Sequence, residues 1–489
     1  MTKQEAFKSQ PFNRIKQWRD SHRQDLTRFK KIEYLYAAIA LTFGIIFIVI
    51  IPPGWNPDEP QHYWRIQQLA HLDIVSDEFP GPPGITYTGG VLPANDVNFI
   101  LSYKGYVAIQ DYSLRMNFPM WRNPGVSKAE KNGGAPTSVA FPGSARYSPV
   151  VYIPQAVGVW LANITGMTLL GGFLLAKLLG LFTQIICFMY AIRIIPKGKW
   201  IIFILGLLPS TIAQSTALGG DVMTTSMCIV FTAVVLSLSY SKEKIDKRKI
   251  ALILILTMLI GLVKPAYLPL IAILLLIPIT RKPYRNMRFI GTMVPLVAIA
   301  ALPGLVWLKL TSFIQDNFNY GVDVAAQSSY VIHQPMNFLS AFARTYLTDD
   351  QPKIYKTLFG NFVWDTAPLP LIFMFLGVVL LVLACFLSSP REKTQITLTP
   401  LIKTILLLTF GILITLISYG LYVYFTPLKA TSILGLQGRY FIPFLPLLLL
   451  VFHNPLPQDK QLKVKIISLG IILSMLISTT VVLVQRIYT

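Results

Sequence analysis

The chain has 489 residues, 53% of apolar types and only 13% charged, with a formal net charge of +21. Its long uncharged runs cannot all be buried in water-soluble cores, which excludes a string of soluble domains and predicts an all-α polytopic membrane protein. A basic balance can signal nucleic-acid binding, but here the charge sorts by side of the predicted spans, so no nucleic-acid partner is expected.

Residues 1–33 carry nine Lys/Arg, with Ile15, Trp18, His22, Leu26 and Phe29 recurring at three- and four-residue steps. This pattern predicts a basic amphipathic segment on the inner leaflet, or else a basic tail that only sets topology. The next run lacks a small-residue cleavage signature and reads as an anchor. The transmembrane domain is expected over 34–488, with spans at 34–51, 168–192, 200–219, 222–240, 250–263, 265–280, 289–310, 369–388, 404–425, 440–453 and 466–485. Residues 148–164 are also apolar. If they cross the membrane, the basic stretch 193–199 and most later basic loops fall outside. If they form an interfacial helix, one side carries 27 Lys/Arg against 8 Asp/Glu and the other 15 against 14, with Lys177 inside a span. The second choice satisfies the positive-inside rule at every loop. It gives about eleven spans, the N-terminus inside, and two large outer loops at 52–167 and 311–368. Cys187, Cys228 and Cys385 all sit in apolar runs, without disulfide or metal-ligand spacing.

The first outer loop opens with Asn56-Pro-Asp58-Glu59-Pro, followed by His62 and Arg65. Either acid could cap the helix that the prolines announce. Asp58, His62 and Arg65 are expected to share one helix face, and a carboxylate partly desolvated at a membrane-facing cavity suits a general base. Lys264 lies between two runs each too short to span alone, so it reads as the tip of a recessed hairpin. Such a cation seeks an anion, a lipid phosphate being the natural one, or snorkels to the headgroups. Arg439, in Gly435-Leu-Gln-Gly-Arg-Tyr440, can grip phosphate bidentately. Arg146-Tyr147, opening the interfacial helix, is a similar pair. Asp221 is the only charge between Trp200 and Ser241, and is either a solvated tip or a ligand for an acceptor sugar or divalent cation. Trp364 and Asp365 could stack on and hydrogen-bond a sugar, or form part of the interfacial aromatic belt. There is no Walker loop, dinucleotide fingerprint or zinc-like cluster. All the candidate groups fall on the predicted outer face, so a donor must arrive within the membrane.

Taken together, Asn56–Arg65, Tyr147-Ser-Pro-Val-Val-Tyr-Ile-Pro154, Leu208-Pro-Ser through Asp221, Lys264-Pro, Gly360-Asn-Phe-Val-Trp-Asp365 and Gln437-Gly-Arg-Tyr440 resemble the GT-C superfamily of membrane glycosyltransferases over roughly 45–455. Within it they resemble a bacterial multi-pass family distantly related to protein O-mannosyltransferases and lipid A aminoarabinose transferases. The resemblance implies a GT-C-like fold in the bacterial cytoplasmic membrane with an extracytoplasmic site. It implies that Asp58 activates the acceptor, a cell-envelope glycan or other extracytoplasmic molecule. Glu59, His62, Asp221, Trp364 and Asp365 are candidates for holding the acceptor or a divalent cation. The implied donor is a polyprenyl-phosphate-linked sugar, with Lys264, Arg439, Arg146, Tyr147 and Arg65 as candidates for its phosphate. Relatives often carry Lys or His before the prolines of the interfacial helix. Here Ser148 precedes Pro149, so that role passes to Arg146. Alternatives are a lipid-linked glycan polymerase or ligase using a diphosphate donor, and a non-catalytic lipid-linked sugar transporter.

Overall fold

The computed structural model describes residues 31–81, 86–122, 131–314, 321–349, 351–390, 392 and 398–489. Residues 1–30 of the predicted basic amphipathic segment lie outside them. Among the described residues six helices are long and apolar enough to cross a membrane: α1 (Ile32–Ile50), α4 (Leu169–Ile194), α7 (Asp221–Ser239), α9 (Met287–Leu310), α11 (Pro400–Tyr424) and α12 (Gln458–Tyr488). Each coincides with a predicted span. The chain is a helical membrane protein.

The remaining predicted spans have broken or shorter forms. The run 200–219 divides into α5 (Lys199–Leu207) and α6 (Pro209–Ser215). Pro209 has no N–H for a continuing ladder and biases Leu208, at ψ 138°, to an extended backbone. The run 250–280 divides at Lys264. There α8 (Lys247–Val263) ends in an extended residue before Pro265, and an eleven-residue 3-10 segment, Pro265–Leu275, follows. Such a long 3-10 run is uncommon; Pro265 and Pro269 both remove backbone donors there. The predicted span 369–388 appears as α10 (Leu371–Phe386), whereas 440–453 keeps only the short helix Leu445–Val451 after a 3-10 turn at Gly438–Phe441.

Helix α7 is buried nearly all round, the pattern of an apolar helix inside a bundle. Helix α4 packs against α1, α5 and α7, and also against α3 (Ile153–Ile164), which follows the Pro149–Tyr152 turn. Helix α9 is the most exposed of the six. It crosses α8 where Gly304 meets the Gly261 backbone, a contact that leaves no room for a Cβ.

The loop predicted over 52–167 contains structure that apolar periodicity did not signal. It holds α2 (Glu59–Ala70) and a three-stranded antiparallel sheet. Strand β2 (Thr86–Pro93) lies between β1 (Asp77–Pro80) and β3 (Pro136–Ala140), with Gly89 opposite Asp77 on one side and Ala140 on the other. In the second loop a two-stranded ribbon, β4 (Asn361–Phe362) and β5 (Ala367–Pro368), projects residues 363–366.

Helix α12 braces both loops. The Arg486 guanidinium, near its C-terminus, donates to Thr366 Oγ1 (2.9 Å) and to the Ala108 (2.7 Å) and Leu114 (3.1 Å) carbonyls, while Tyr488 Oη donates to the Ile50 carbonyl (2.7 Å). The two predicted outer loops therefore meet at one end of the bundle. Beyond the opposite end of α4, the Glu392 carboxylate accepts from the Gly198 (3.2 Å) and Lys199 (3.0 Å) amides that begin α5.

The connection between α1 and α2 is fixed by a buried ion pair, Glu59 Oε1 to Lys177 Nζ on α4 at 3.4 Å, both side chains wholly excluded from solvent. Removing one member leaves the other charge buried without its partner. Lys177→Met should therefore cost about 3–5 kcal/mol of stability, measured as a lowered unfolding midpoint of purified protein in detergent. Ile186→Ala, on the exposed face of the same helix, should cost much less.

Candidate functional site

The two adjacent acids separate into different tasks. Glu59 accepts from the backbone amides of Gly54 (3.0 Å), Asn56 (3.4 Å) and Leu218 (3.1 Å), and from the Asn56 side chain (2.9 Å), in addition to pairing with Lys177. Its oxygens are committed to the protein. Asp58 sits at the N-cap position of α2 but makes no capping hydrogen bond, and its side chain is exposed. Its backbone is left-handed, at φ 59°, a conformation that Asp tolerates better than most residues. Glu59 takes the local structural work, and Asp58 is left facing out.

Asp58 lines a cleft of about 500 Å³ with His62, Tyr147, Asp221, Arg439 and Tyr440. The cleft is built from segments far apart in sequence. Asp221 is the first residue of α7, where its carboxylate complements the helix dipole, and it lies 3.6 Å from an Arg439 Nη. Gly438 places Arg439 by pressing directly against the Ile354 carbonyl and Leu358, leaving no room for a Cβ. Its N–H donates to Thr357 Oγ1 at 2.7 Å. The Arg439 Nε is buried without a partner. Burial opposes its charge, but Asp221, Tyr440 and Asp58 together more than offset this and hold its pKa above the ordinary value. His62 Nδ1 lies 2.7 Å from Tyr152 Oη. Burial pushes the His62 pKa below its ordinary value, although Asp58 and Asp221 pull the other way, so at neutral pH the ring is uncharged and available for hydrogen bonding.

Lys264 stands behind this wall among three tyrosine rings, 4.6 Å from the Tyr440 centroid, 5.8 Å from Tyr267 and 5.9 Å from Tyr147. Two of those rings, Tyr147 and Tyr440, also line the cleft. Rings of this kind partly compensate a recessed ammonium without neutralising it, so the positive field of Lys264 remains available to an anion there.

A second cleft, of about 490 Å³, adjoins the first; Pro57, Gln214, Ala217 and Arg439 line both. Asp365 lines the second cleft. It ends a run of three left-handed residues, Val363, Trp364 and Asp365, at φ 52°, 55° and 65°. This conformation is unusual for a branched or bulky side chain.

Besides Lys264, four sequence candidates line neither cleft. Arg65 is buried, clasping Gln68, Ser76 Oγ (3.2 Å) and the Ile74 carbonyl (2.7 Å). The expected Asp58–His62–Arg65 face fails because Asp58 is left-handed and the helix starts after it. Arg146 donates to the Ile314 carbonyl (2.8 and 3.2 Å) and stacks 5.3 Å from the Tyr424 ring, tying the two loops together. The Trp364 indole donates to the Gly54 carbonyl (3.1 Å) and packs on Tyr106. Glu59 is the fourth, held in its ion pair. Sequence reading missed Gln214, Asn361 and Gln437, which line the second cleft; uncharged amides carry little signal in a sequence. Among the described residues no three His, Cys, Asp or Glu side chains cluster as a metal site.

A bundle of apolar helices with a polar, charged cleft between its loops defines a multi-pass membrane protein. The chain matches, over residues 41–448, a family described as a predicted membrane protein, DUF2142, and it belongs to that family. No curated protein and no solved structure matches it.

Gly438→Ala should displace Arg439 because the added Cβ has backbone on its far side. The variant should lose about 1–3 kcal/mol of stability to overpacking, read as a lowered unfolding midpoint of purified protein in detergent. Gly411→Ala, where a Cβ meets nothing within 4 Å, should not lower it.

Proposed function

We propose that the protein is a GT-C-type glycosyltransferase, moving a sugar from a polyprenyl-phosphate donor to a cell-envelope glycan or other extracytoplasmic acceptor. The observation that carries this reading is the separation of Asp58 from Glu59. An exposed carboxylate released from capping faces a cleft whose other wall holds Arg439, with Lys264 behind the tyrosines. An oriented base opposite a cationic wall is the arrangement that displacement at a sugar phosphate requires.

In this reading the acceptor hydroxyl gives its proton to Asp58 as its oxygen bonds to the anomeric carbon. The bond from that carbon to the phosphate oxygen breaks, and its electron pair leaves with polyprenyl phosphate. Attack from the face opposite the leaving group inverts the anomeric centre. The leaving phosphate is a weak base, so positive charge assists it more than a proton does. Arg439 supplies that charge directly, and Lys264 supplies it through its field. Asp221 orients Arg439, and His62 and Tyr147 complete the wall. The topology that goes with this reading has eleven spans with α3 at the outer interface, in the bacterial cytoplasmic membrane. The motif resemblance and the distribution of basic loops support that placement.

Asp58→Asn should lower transfer by about 10²–10⁴-fold while leaving donor binding within a few-fold, measured with purified protein and radiolabelled polyprenyl-phosphate sugars. Near-normal transfer by that variant would remove Asp58 from the mechanism. Arg439→Glu should abolish donor binding; unchanged binding would sink the phosphate role. The broken helices at Leu208 and Lys264 favour a second reading, lipid-linked sugar translocation, since discontinuous helices line transporter sites. Scrambling of a fluorescent lipid-linked sugar in proteoliposomes without transfer would select it.

A further inference from the structure

The cleft that adjoins the Asp58 cleft differs from it in chemistry. Its polar lining includes four amide side chains, Asn56, Gln214, Asn361 and Gln437, one carboxylate, Asp365, and the shared Arg439. Phe362 provides an apolar part of the wall. Amides both donate and accept, and a carboxylate accepts. This set suits neutral hydroxyls, each of which needs one donor and one acceptor.

Two observations mark the cleft as a built site. The Asn361 amide donates to Asp365 Oδ1 at 3.1 Å, which orients both groups. Asn361 Oδ1 and Arg439 Nε are buried with no hydrogen-bond partner. Groups buried without partners are costly, and a ligand hydroxyl that met them would relieve that cost. Three polar groups of the lining are otherwise employed: the Asn56 amide donates to Glu59 Oε1, Ser210 Oγ donates to the Leu358 carbonyl, and Thr357 Oγ1 donates to the Lys353 carbonyl while accepting from Gly438. Those contacts hold the wall in place. The strained run 363–365 is pinned at its centre by the Trp364 indole on Gly54, which fixes Asp365 at the cleft's edge.

We infer that this second cleft is a carbohydrate subsite that holds the sugar of the acceptor through Asn361, Gln437, Gln214 and Asp365. The assignment to the acceptor rests on the glycosyltransferase reading. Carbohydrate recognition itself rests only on the cleft's chemistry. Pro57 and Arg439 line both clefts, so a hydroxyl of a sugar seated here points across Arg439 toward Asp58. Arg439 then has two faces, one toward the donor phosphate and one toward the acceptor.

The test uses the full chain in nanodiscs and two kinds of probe. The first is a panel of methyl glycosides of glucose, galactose, mannose, rhamnose and N-acetylglucosamine, titrated to tens of millimolar. The second is undecaprenyl phosphate. At least one glycoside should bind the unaltered protein. Asn361→Leu and Gln437→Leu should each weaken that glycoside at least tenfold and leave undecaprenyl phosphate within twofold. Lys264→Ala should do the reverse. The inference is overturned if no glycoside of the panel binds, or if both leucine variants keep glycoside affinity within twofold. It is also overturned if both lose the two probes equally, since the residues would then be merely structural. Glycoside binding that depends on Asn361 and Gln437, with no undecaprenyl phosphate binding by any variant, would support a carbohydrate site and remove the transfer reading instead.

Discussion

The Glu59–Lys177 pair is the constraint on which the site depends. Lys177 lies on α4, the helix that packs against α1, α3, α5 and α7. An ammonium buried there needs a carboxylate, and the first loop supplies it. Once Glu59 is drawn inward, its remaining lone pairs gather the amides of Gly54 and Asn56 from its own loop and of Leu218 from the turn before α7. One carboxylate thereby joins the loop after α1, the start of α2 and the approach to Asp221. Replacing the pair with apolar groups of equal volume could preserve the stability of such a core, but no apolar group would gather those three amides.

The geometry of Asp58 follows from this anchoring. With Glu59 pulled toward Lys177, the preceding residue turns left-handed and its side chain leaves the helix start. Strain of this kind, about 1–3 kcal/mol at each residue, recurs at Val363, Trp364 and Asp365 on the other side of the site. The two strained segments are linked directly, since the Gly54 N–H donates to Glu59 while the Gly54 carbonyl accepts from Trp364. The packing that pays for one therefore holds the other.

Much of the fold was legible in the sequence, and the reason is physical. A span of uniform apolarity reads directly, so α1, α4, α7, α9, α11 and α12 fall where the runs predict. Breaks are harder to read. Pro209 lies within a continuous apolar run, and its effect shows only as an extended Leu208. The three-stranded sheet escaped notice because its strands have no long alternation and β3 pairs with β2 from far along the chain, as Pro136 does with Pro93. At the site, Asp58, Asp221, Arg439 and Lys264 stood out because charge is rare in such a chain. Local pattern did not say which acid of the Asp58-Glu59 pair would be free; only the motif resemblance favoured Asp58. That choice is made by Lys177, far along the chain, through a contact no local pattern encodes. Arg65 and Arg146 were conspicuous for the same reason as Arg439, yet they bind backbone carbonyls. Rarity marks a charge as worth its burial without saying whether its partner is a ligand or the protein.

Arg439 shows how the distinction is made. A guanidinium whose donors end on the protein's own carbonyls and hydroxyls is a brace, as Arg486 is where it holds the two loops to α12. Arg439 keeps a buried Nε without a partner and lies 3.6 Å from a single carboxylate, at the boundary of two clefts. Gly438 has been kept small enough to push it there. A side chain positioned at such steric cost and left incompletely paired is what the proposed function requires of a donor-binding cation. In that proposal the Asp58 cleft on one side and the amide-lined cleft on the other would hold the two halves of what completes it.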